Sequence, residues 1–294
     1  MSGSANAKIT IFPGTVFSND KPVMLETMFP KGHGRSFGKG STYHLFNLAV
    51  NSWQVHYWRL SNQLSDNFFA AKNVFENMNL AHGELMRRFS AHGGLKNWDS
   101  SGPSVWLTAW ALRVYSWVGF QDWEDFVFID PKVPKNGRVD LTKFMLIFFS
   151  FISFFKIIAS GAMWLVNFQT FNGFFQESDN SSLHFAYHVH HRNRFDELSY
   201  VSLTAHVLIA LEGAIDKLQG KYRLFANTAR QKGLHFLEKM LPKVEDVYQL
   251  CIVSYTLALL RSSECNLAYK KLMGAYLETD GKIYWSPTVI SSNR

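Results

Sequence analysis

The stretch Ser104-Val105-Trp106-Leu107-Thr108-Ala109-Trp110-Ala111-Leu112 decides the fold, because the chain writes it again. Leu203-Thr204-Ala205-His206-Val207-Leu208 repeats its second half, and Ile252-Val253-Ser254-Tyr255-Thr256-Leu257 repeats it more weakly. A different segment, Gly161-Ala162-Met163-Trp164-Leu165, has its own echo at Gly233-Leu234-His235-Phe236-Leu237. The intervals fit a period of roughly 50 residues, so two helix types alternate and helix pairs stack. Thr, Ala and Ser on one face let such helices approach closely, while Leu and Val fill the grooves. A closed toroid and an open solenoid both use these units. The pattern therefore supports all-α repeats more firmly than it supports closure.

Working outward, 3.6-residue periodicity begins at Tyr43. Leu45, Leu48, Ala49, Trp53, His56, Tyr57 and Leu60 recur at helical steps and predict one buried stripe. A second amphipathic helix is expected from about Phe68 to Phe89, ended by His92-Gly93-Gly94. Before these, Ile9 to Arg35 carries Pro13, Pro22 and Pro30 among alternating apolar residues, which reads as strand and loop. Residues 1–37 are thus a short N-terminal segment ahead of a helical domain at 38–294.

With 294 residues, 47% hydrophobic and 18% charged, the chain can bury a large core, and disorder is excluded. Its two cysteines, Cys251 and Cys265, cannot staple a fold of this length and are expected to be buried, unpaired thiols. Neither has metal-ligand spacing, so no metal is expected. The net charge of +7 is not gathered into a block: His190-His191-Arg192-Asn193-Arg194 is short and adjoins Asp196 and Glu197, which gives no nucleic-acid patch. Most of the 26 Phe, 11 Tyr and 9 Trp are assigned to packing, with Trp53, Trp58, Trp106, Trp110 and Trp164 at helical spacing, and an aromatic carbohydrate-binding cleft stays open.

Phe144 to Phe155, Lys156 and Ile157 to Val166 together reach the length of a membrane span. Lys156 near the centre would cost about 2.5–3.5 kcal/mol, so a buried or foreign segment is the preferred reading. Met1 to Ile9 has no charged stretch followed by an apolar one, so no cleavable signal peptide is expected there. Asn180-Ser181-Ser182 is a glycosylation acceptor if the segment is secreted.

Enzyme motifs are sparse. Asp122-Trp123-Glu124-Asp125 is the nearest approach to the aspartate cluster of a toroidal cyclase, and it reads as a solvated turn. A glycosidase needs two facing carboxylates, and nothing in the spacing pairs Asp125 or Glu177 with a partner. No phosphate-binding loop or nucleophile elbow occurs.

These residues carry a resemblance. Ser104 to Ala109, with Leu112-Arg113-Val114, resembles the S-x-W-L-T-A helix of the thioester domain in the alpha-macroglobulin and complement family. Gly161 to Leu165 and Asn172-Gly173-Phe174-Phe175-Gln176-Glu177 are similar to its next helix and G-x-F-x-E turn; Tyr200 to Ala210 and Arg230 to Leu260 are similar to the helices that follow. The resemblance implies an α/α toroid of about six helix pairs in large extracellular or surface-anchored proteins. It also implies a G-C-G-E-Q motif whose cysteine and glutamine form an internal thioester, and a histidine that redirects its chemistry. Here Gly38-Lys39-Gly40-Ser41-Thr42 falls at that place, with Lys39 for the cysteine and Thr42 for the glutamine. His184 and His188 lie near the place of the modulating histidine and read as loop residues.

The chain is most like the thioester-lacking, macroglobulin-complement-related branch. The implied role is a non-enzymatic, noncovalent module, without cofactors, for protein or microbial-surface ligands in innate immunity or at septate junctions. The alternative is part of a protease-trapping macroglobulin, and a toroidal enzyme ranks last. Residues from about 134 to 158 exceed the family pattern and are expected to be a foreign insert, as a retained intron would give. The chain also stops before the last helix pairs, so the toroid is expected to be incomplete and the sequence a fragment.

Overall fold

A computed structural model describes residues 39–64, 66, 68–118, 156–178, 197–279 and 282–285. The chain divides into two units, Met1–Lys39 and Gly40–Arg294. Of the first, Lys39 alone is described, so the expected N-terminal strand and loop lie outside the described residues.

Among the described residues, the second unit is helical apart from one small hairpin. Its helices are α1 (Ser41–Leu60), α2 (Phe68–Arg88), α3 (Val105–Val118), α4 (Lys156–Val166), α5 (Val201–Ala214), α6 (Gly220–Met240), α7 (Val247–Leu259) and α8 (Cys265–Met273). Strands β1 (Leu277–Thr279) and β2 (Lys282–Tyr284) pair antiparallel, Leu277 opposite Tyr284. Helix ends follow local chemistry. The Asp246 side chain caps α7 by accepting from Gln249 N–H at 2.8 Å. Asn62 (φ 56°) ends α1 and Arg261 (φ 54°) ends α7, both left-handed. In each case its own N–H and that of the residue after it donate to carbonyls of the last turn.

The odd-numbered helices are consecutive neighbours: α1 packs on α3, α3 on α5, and α5 on α7. Against them lie α2 on α1, α6 on α5 and α8 on α7, while Gly161 of α4 contacts Thr108 of α3. This alternation of inner and outer helices is the arrangement of an α/α toroid. The small residues of the inner helices lie inside the packing: Ala109, Ala111, Ser202, Thr204 and Ala205 are all buried. α5 is buried almost all round, as a helix with neighbours on three sides must be. Leu45, Leu48, Met78, Leu85, Leu107, Tyr115, Leu165, Leu208, Phe236 and Leu257 form one continuous core, each such burial stabilising by about 1.5–3 kcal/mol.

Two expectations change. The stripe on α1 turns after Ala49, burying Ser52, Val55 and Trp58, and leaving Trp53, Tyr57 and Leu60 exposed. Trp53 is therefore a surface residue, whereas Trp58 and Trp164 are buried and Trp106 and Trp110 pack against the core. Cys251 and Cys265 are unpaired as expected but only half-buried.

Residues 144–155 lie outside the described residues. The remainder of that apolar run is α4, whose Ile157 and Ile158 are core residues. The stretch Glu197–Lys217 is long and apolar enough to cross a membrane, yet its apolar window is 78% buried against neighbouring helices, as the central helix of a core would be.

Candidate functional site

Lys39 is exposed, and Gly40 enters α1 in an extended conformation (φ −72°, ψ 167°). Glycine offers no side chain to cap the helix, so the loop between α2 and α3 supplies the acceptors. Ser41 N–H donates to the Asn97 carbonyl at 2.9 Å, and Thr42 N–H donates to Asn97 Oδ1 at 3.2 Å. The Ser41 hydroxyl, fully buried, donates to the Lys96 carbonyl at 2.6 Å. Gly40 is needed for this docking: a Cβ there would lie 2.6 Å from Asn97 Oδ1.

The same device recurs one repeat later. The Glu177 carboxylate caps α3, accepting from Val105 N–H at 2.5 Å and Trp106 N–H at 3.2 Å. It also takes the Ser104 hydroxyl at 3.1 Å and its neighbour Ser178 N–H at 3.0 Å. A carboxylate at a helix N-terminus is favourably placed against the helix dipole. Burial nevertheless pushes the Glu177 carboxyl up, while those four donors pull it down.

Both capping residues hang from one loop shape. Phe89 bridges Leu95, and Gln169 bridges Phe175. Gly93 (φ 99°) and Gly173 (φ 94°) take the left-handed corner that suits glycine. Two residues beyond each bridge stands the cap, Asn97 or Glu177. The repeated threonine fixes the loop from below: Leu95 N–H donates to Thr108 Oγ1 at 2.8 Å, and Phe175 N–H donates to Thr204 Oγ1 at 3.0 Å. The sequence reading found the repeated L-T-A and the G-x-F-x-E turn but missed Asn97 and the purpose of Glu177. The shared signal is a Ser or Thr three residues ahead of glycine, at Ser90 and Thr170.

Gly38, His184, His188, Asn180, Asp122 to Asp125 and His190 to Arg194 lie outside the described residues. Glu177, weighed as a glycosidase carboxylate, has both oxygens engaged as caps. His206 on α5 is buried, stacked on Trp106 (ring centroids 5.4 Å apart), with Nε2 3.2 Å from the Trp106 carbonyl. Burial first, and the charge of Arg113 second, hold it down at about 3, so it is neutral at physiological pH. His82 is likewise held at about 4 by burial, its Nδ1 2.9 Å from Tyr115 Oη. Among the described residues no group of three His, Cys, Asp or Glu is placed to hold a metal ion.

None of the curated proteins matches the chain. The family model described as the A-macroglobulin TED domain matches residues 38–294, from the Gly38-Lys39-Gly40 run through every helix above. The chain belongs to the A-macroglobulin TED family, the thioester-domain family of the macroglobulin and complement proteins.

Proposed function

We propose that this chain is a non-enzymatic interaction domain that has lost its thioester and binds noncovalently. It would act as part of an extracellular or cell-surface macroglobulin- or complement-like protein, on protein or microbial-surface ligands. What supports this reading is the run Gly38-Lys39-Gly40-Ser41-Thr42 leading into α1, which on the family resemblance aligns with G-C-G-E-Q and keeps only its two glycines, with Lys39 and Thr42 at the two reacting positions. A thioester needs a thiolate sulfur bonded to an acyl carbon. Lys39 brings an ammonium and Thr42 a hydroxyl, so there is neither a sulfur to acylate nor a carboxamide to supply the acyl group. With no thioester to activate, a histidine at 184 or 188 has no acyl transfer to redirect.

The test is incubation of the purified chain with isotope-labelled methylamine, followed by denaturation and peptide mass analysis. No adduct is expected on the peptide containing residues 38–42. A stable label there would overturn the noncovalent reading.

A further inference from the structure

The inner helices have a second face, turned away from the outer ones, and it is built unlike the core. On α3, Trp106, Trp110, Arg113 and Trp117 recur at the spacing of a single stripe. Trp106 touches Trp110 (5.4 Å between centroids). At the far end Trp117 meets Trp53 of α1 at 4.7 Å, and His56 Nε2 lies 3.2 Å from the Trp117 carbonyl. From α7, Tyr255 stands close enough to Arg113 to act on it electrostatically. Three of these large rings are about half open to solvent: Trp53 47%, Trp117 51% and Tyr255 55%.

Arg113 is the anomaly within this face. Among the described residues the arginines that are not exposed are Arg88, Arg113 and Arg230. Arg88 faces Asp99 and Arg230 is bonded to Glu212. Arg113 has no hydrogen bond and no ion pair among the described residues, and its charged neighbourhood is a neutral His206 and a phenol. Burial pulls its guanidinium down, yet an arginine stays charged in any case. A half-buried cation without a counter-ion costs free energy that an arriving anion would recover.

We propose that this face binds an anionic saccharide, with sugar rings against the open indoles of Trp117 and Trp53 and the acidic group on Arg113. Four residues along a helix rise about 6 Å, which is the reach of one pyranose ring with its exocyclic carboxylate or sulfate. Flat half-open indoles suit the C–H faces of sugars, and the half-buried Arg113 cation, with the Lys217 ammonium on the neighbouring Ser116 carbonyl, selects an acidic one. This inference rests on the noncovalent reading above and adds the ligand class to it.

The test is tryptophan-fluorescence titration of the whole chain with three oligosaccharides: oligogalacturonate (carboxylated), a heparin oligosaccharide (sulfated) and a neutral β-glucan. Polyglutamate serves as the acidic-protein arm. At least one acidic saccharide is expected to bind 10-fold or more tightly than the neutral one, and the preferred arm names carboxylate or sulfate. Arg113→Gln should remove that preference, and Trp117→Ala should weaken both kinds of sugar. Trp53→Ala replaces Trp117→Ala if the latter does not fold. Lys232→Gln removes one exposed charge on the outer helix α6, beside the Gly173 loop, and should leave binding unchanged. Binding by no saccharide, equal losses in Arg113→Gln and Lys232→Gln, or Arg113-dependent binding of polyglutamate alone would each overturn the proposal. Methylamine label at residues 38–42 would sink the noncovalent reading instead, so the two failures are distinguishable.

Discussion

Replacing Glu177 by alanine tests whether consecutive repeats are locked together by their capping side chains. The carboxylate takes four donors, two of them the first free N–H groups of α3. Loss of an ordinary N-cap costs about 1 kcal/mol, and each further half-buried donor left without an acceptor costs about 1 kcal/mol more. Ser104 Oγ still accepts from Leu107 N–H at 3.2 Å, so one cap survives. The expected loss for Glu177→Ala is therefore about 3 kcal/mol, which for a domain of this size lowers Tm by roughly 6–12 °C. Glu177→Gln keeps the bulk and one acceptor oxygen and should cost about 1 kcal/mol. Urea unfolding followed by tryptophan fluorescence, with unchanged m-value, measures both. Because burial raises the folded carboxyl, the charged form is the penalised one. Relative to Glu177→Gln, wild-type stability then falls as pH rises from the unfolded carboxylate range through the folded pKa. A loss for Glu177→Ala below about 0.5 kcal/mol would refute the locking argument.

The repeat should also be visible in paired variants. Thr108→Val and Thr204→Val remove equivalent acceptors from Leu95 N–H and Phe175 N–H, and each should cost about 1–3 kcal/mol by chemical denaturation; one costing nothing while its twin is severe would break the equivalence. His206 gives the pH dependence. Its folded pKa of about 3 lies below the ordinary 6.5, so the unfolded chain binds the proton and stability falls as pH drops from 6.5 toward 3. The slope reaches about 1.4 kcal/mol per pH unit. His206→Gln should flatten that part of a stability-versus-pH curve, and an unchanged curve would place the proton elsewhere.

How much of this was legible in the chain depends on the range of each interaction. The L-T-A repeats and the alternation of helix types are local patterns, and they suffice to indicate an all-α pairing of helices. The role of Thr108 and Thr204 is not legible, because each accepts from a loop N–H that lies 13 or 29 residues upstream. Glu177 reads as the last residue of a turn, and only packing reveals that it belongs to the start of α3. On α1 the steps Leu45, Leu48, Ala49 were read on to Trp53, Tyr57 and Leu60 by hydrophobicity. The buried face instead runs through Asn51, Ser52, Val55 and Trp58. Ser52 can sit inside because its hydroxyl donates to the Leu48 carbonyl at 2.6 Å, a local bond that hydropathy does not register.

The head of α1 shows why a domain of this family could keep its shape while changing its chemistry. What fixes that helix is the carbonyl and side chain of Asn97, the buried Ser41 hydroxyl, and the missing Cβ of Gly40. Thr42 contributes a backbone N–H to the docking, a group every residue except proline brings. The Thr42 side chain is thus outside the set that determines the fold at this point. On the reading proposed here, the exchange of a carboxamide for a hydroxyl at position 42 removed a reactant without removing a structural bond. Substitution of Asn97 or Ser41 would instead strip acceptors and donors from a buried helix start, at about 1–3 kcal/mol for each group left unsatisfied. In this chain, changes at Gly40, Ser41 and Asn97 therefore cost stability, whereas the Thr42 side chain makes no hydrogen bond in the docking.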